Sequence, residues 1–122
     1  MSLTVEPYFR DSRGYVAVQH EGGSQSHKLA GSESCRADFY GSAAAISLGL
    51  SLLPSLRTTD LYAEGDDLAR LEQEVQTLLQ RAEFVSEQTR FGVDFIQEKS
   101  HNILAAIRRA RELGPGGGVV IS

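Results

Sequence analysis

A chain of 122 residues with 41% hydrophobic and 23% charged residues has enough apolar material for one core and the composition of an ordinary globular domain. Twelve Lys and Arg against sixteen Asp and Glu leave a net charge of -4, which argues against nucleic acid as a partner, because phosphate binding needs a basic face. One cysteine excludes an internal disulfide, and with no CxxC or Cys/His pairing the reading is a fold held by packing, with no cofactor and no metal.

No apolar run approaches the length that spans a bilayer, so no membrane partner is expected. The first residues, Met1 to Glu6, lack the basic start and apolar core of a signal peptide, which points to a cytoplasmic protein.

Leu3 to Phe9 and Gly14 to His20 read as two strands joined by the turn-forming Arg10-Asp11-Ser12-Arg13-Gly14. Pro7 has no N–H to give a ladder, which predicts an edge or irregular position for the first strand. Glu21 to Glu33 is polar and glycine-broken, mostly loop, with a weakly patterned third strand around Ser26 to Ala30.

Gly41 to Leu53 fits two periods: Ile46, Leu48, Leu50 and Leu52 alternate, while Ile46, Leu50 and Leu53 sit at helical spacing. Ser42 as N-cap before three alanines favours a buried helix, stopped by Pro54. Thr58 to Ala63 reads as a strand before the turn Glu64-Gly65-Asp66.

Leu68, Leu71, Val75, Leu78, Ala82 and Val85 form one apolar stripe and predict a single long helix, with Asp66 and Asp67 in its first turn complementing the dipole. Gly92 marks a turn. Asp94, three residues before Gln97, has the spacing of a capping box, and Ile96, Ile103, Ile107 and Ala110 stripe the last helix. Gly114 suits the C′ position, and Val119-Val120-Ile121 reads as a closing strand.

Together these elements predict a single α+β domain over residues 1–122. Its order is β-β-α-β-α-α-β, with a mixed or mainly antiparallel sheet covered on one face by amphipathic helices.

The candidate sites are few. The glycine run follows a helix and precedes a strand, the reverse of a phosphate-cradling loop, so it reads as a helix stop. Tyr62 to Asp67 has strand-turn-helix order but lacks the alternation of a calcium loop. Its carboxylates suggest instead an acidic patch for a basic protein partner, with Glu64, Asp66, Asp67 and Glu74 as binding residues and Glu72 nearby.

His20, His27, Cys35 and Tyr40 are the polar groups of an alternative, a small enzyme or ligand-binding pocket near residues 20–40. Arg36 beside Cys35 could lower the thiol pKa in such a site. Arg108, Arg109 and Arg111, with Lys99 and His101 on the same helix, are the one dense basic group and the ranking last choice, nucleic-acid contact.

Asn102 to Ile107, Gly116 to Ile121, Leu53-Pro54-Ser55-Leu56 and Tyr62 to Leu68 carry a resemblance of texture over about the last 70 residues. The chain there resembles a group of small uncharacterised bacterial proteins. The resemblance implies a bacterial source and a cytoplasmic α+β domain, and it transfers no site residues. The function expected is non-enzymatic: a protein that binds another protein or itself, with a toxin-neutralising immunity-type inhibitor as the sharpest version by fold-level analogy.

Overall fold

A computed structural model describes residues 2–18 and 28–122. Five strands form an open antiparallel sheet: β1 (Ser2–Arg10), β2 (Val16–Val18), β3 (Leu29–Ser32), β4 (Leu61–Glu64) and β5 (Gly117–Ile121). Four α-helices accompany it: α1 (Ala43–Ser47), α2 (Asp66–Gln80), α3 (Ala82–Gln88) and α4 (Val93–Glu112). Two further turns are helical, a wide one at Arg36–Tyr40 and a 3-10 turn at Leu53–Arg57. The fold class is α+β, as the pattern of elements predicts.

The sheet runs β2-β1-β5-β4, and β3 joins β1 on the flank it shares with β2. β1 is therefore the central strand and not an edge, which corrects the expectation drawn from Pro7. Thr4 and Arg10 donate to Ser122 and Gly116 at 2.8 and 2.9 Å, so even-numbered residues of β1 bond toward β5 and odd-numbered ones face the other flank. On that flank β3 pairs with Ser2 to Thr4 and β2 with Tyr8 to Arg10. Among the described residues Pro7 lies between these two pairings and has no partner on that flank.

The same alternation fixes the chemistry of β4. Even residues of β5 face β1, so odd ones face β4, and Leu61 and Ala63 exchange bonds with Ile121 and Val119. The main-chain groups of Tyr62 and Glu64 then point away from the sheet.

Leu3, Val5, Leu61, Ala63, Val119 and Ile121 line the face that meets the helices and join the core with Leu71, Val75, Leu78, Ile96, Ile103 and Ile107. At about 25 cal/mol per Å² this apolar burial is the main stabilising term. The close approach of α4 to β5 depends on glycine: a Cβ at Gly117 would run into the Ala110 carbonyl. Gly114, at φ 94°, makes the left-handed turn out of α4, as the sequence predicts.

Several local expectations change. The stripe from Leu68 to Val85 is carried by two helices, because the backbone at Arg81 leaves helical geometry (φ -111°, ψ 25°) while its N–H still reaches Thr77. The Gly41 to Leu53 helix shrinks to α1. Ser42 does cap it, accepting from the Ala45 N–H at 3.2 Å, but Ile46 is exposed and Leu50 and Leu53 enter the core after the helix has ended. The last helix starts one residue before Asp94 with Gly92 as N-cap, so Asp94 sits in the first turn and caps nothing. The third strand lies at Leu29–Ser32, a few residues later than expected.

Candidate functional site

The four acidic residues singled out in the sequence do not form one surface. Glu74 is only 8% exposed: it projects from α2 and accepts the backbone N–H groups of Ser51, Leu52 and Leu53 at 3.1, 3.0 and 3.0 Å, with the Ser51 hydroxyl at 3.3 Å. These are the unpaired donors at the start of the 3-10 turn, so the carboxylate acts as a cap borrowed from another helix. It is committed to the fold, not to a partner.

Glu64 is half-buried on the outer face of the sheet. It accepts from the Tyr8 hydroxyl at 2.6 Å and from Arg10 Nε at 2.9 and 3.1 Å. The Arg10 and Tyr8 hydrogen bonds hold its carboxyl below the usual range, while burial and the same carboxylate push the Tyr8 phenol up. Tyr8 can lie against β5 because position 118 is glycine, and Tyr62 meets its ring edge-on with centroids 5.8 Å apart.

Asp66 and Asp67 remain at the surface at the start of α2, with Arg70 3.5 Å from Asp67. They flank the free edge of β4, which among the described residues pairs only with β5. Tyr62, on that edge, is 53% exposed. At the other end of β4, Asp60 is held by Arg36 at 2.6 Å, and exposed Arg57 lends one N–H to the Gly41 carbonyl at 3.2 Å.

The alternative pocket does not assemble from the residues described. His20 and His27 lie outside the described residues. Cys35 and Tyr40 are fully buried, the Tyr40 hydroxyl donating to the Ala30 carbonyl at 2.7 Å, and burial with the neighbouring Cys35 pushes its phenol up. Arg36 serves the fold: it binds Asp60, Glu33 and the Leu56 and Thr59 carbonyls. Burial opposes its charge, but those acids outweigh it and hold its pKa up.

The basic group on α4 is largely neutralised. Arg111 grips Glu72 through two nitrogens at 2.8 and 2.9 Å, which lowers the Glu72 pKa, and Arg109 pairs with Glu112 at 2.8 Å. Arg108 is exposed and lines an open cavity of about 400 Å³ with Leu104, Gln76 and Glu72. Another open cavity, of about 430 Å³, lies where α2, α3 and α4 meet, lined by Leu79, Phe84, Val93 and Gln97.

No three His, Cys, Asp or Glu among the described residues are placed to hold a metal ion, and no described helix is long and apolar enough to cross a membrane.

What composition and spacing did not reveal is the edge of β4. The signal was present in Tyr62, an aromatic alternating with buried Leu61 and Ala63, but only the sheet order makes it an edge residue. This fold and site define a small α+β domain with an open antiparallel sheet whose edge strand β4 carries an exposed tyrosine. Comparison with protein-family models, curated proteins and solved structures finds no match.

Proposed function

We propose that the protein is a non-enzymatic protein-interaction domain that engages another polypeptide strand along β4. The observation that carries this reading is the edge itself: the main-chain groups of Tyr62 and Glu64 point outward, and the Tyr62 ring stands exposed beside them. Strand addition supplies affinity through main-chain hydrogen bonds and specificity through alternate side chains. Asp66 and Asp67, at one end of the strand, favour a partner that brings a basic group there. Glu64 contributes by backbone, since its carboxylate is already bound by Tyr8 and Arg10.

The test is a paired capture experiment with wild-type protein and Tyr62→Lys as baits, because a lysine on an exposed edge opposes strand addition, with circular dichroism confirming that the variant is folded. A protein retained by the wild type and lost by the variant supports the reading. Identical retention by both baits removes it.

A further inference from the structure

We draw no further inference here: the strongest candidate, the open cavity between α2 and α4 lined by Arg108 and Arg111, carries nothing, because Glu72 and Glu112 in the same lining offset its two arginines and nothing in the structure shows what covers it.

Discussion

Glu74 reaches from the middle of α2 to the backbone N–H of Leu53, 3.0 Å away and 21 residues earlier in the chain. A single carboxylate thereby satisfies a turn that has no side-chain cap of its own. Replacing it with leucine leaves three N–H groups without their acceptor. Glu74→Leu should therefore cost about 3 kcal/mol in urea unfolding, and Glu74→Gln, which keeps one acceptor oxygen, roughly half as much. Equal stability of Glu74→Leu and wild type would remove the cap from the account.

The glycines after α4 differ in what they do. Gly117 is a spacing residue, because any side chain meets the Ala110 carbonyl. Gly114 has open space around it and is needed only for its positive φ. Gly117→Ala is expected to destabilise by about 3 kcal/mol through separation of α4 from β5, and Gly114→Ala by about 1 kcal/mol through backbone strain. Thermal unfolding of the two variants side by side measures the contrast; the reverse order would contradict it.

Acid titration probes the Tyr8–Glu64–Arg10 group. The folded Glu64 pKa is lowered, so its contribution is present above the unfolded carboxylate pKa of about 4.3 and is lost as pH falls through the folded value. Its side chain is 37% exposed, which screens the interaction and limits the contribution to under about 1 kcal/mol. Glu64→Gln should be less stable than wild type at pH 7, and the difference should close as the pH falls through the lowered folded pKa of Glu64. A gap independent of pH would assign the effect to packing.

Ser100 is 1% exposed on the buried side of α4, and its hydroxyl has no hydrogen-bond partner. Removing an unpaired buried hydroxyl while gaining helix propensity should make Ser100→Ala about 1 kcal/mol more stable than wild type. Chemical denaturation would refute this if the variant were less stable.

The start of α2 at its two aspartates, the Ser42 cap and the turn at Gly114 are legible in the sequence because each depends on residues within a turn or two of one another, and the fold class follows from the order of such elements. The apolar stripe from Leu68 to Val85 was equally legible, yet it could not reveal the break at Arg81, since Leu78, Ala82 and Val85 keep helical spacing across it. Glu74 reads as a surface acid because it belongs to the polar run Glu72-Gln73-Glu74 between the stripe residues Leu71 and Val75.

Only tertiary structure brings the Ser51 to Leu53 amides to it, and only the order of the sheet puts Pro7 in an interior strand and Tyr62 on an edge. Local periodicity records which face a residue occupies. Which neighbour lies across that face is decided by contacts between distant parts of the chain, and no short window of sequence contains them.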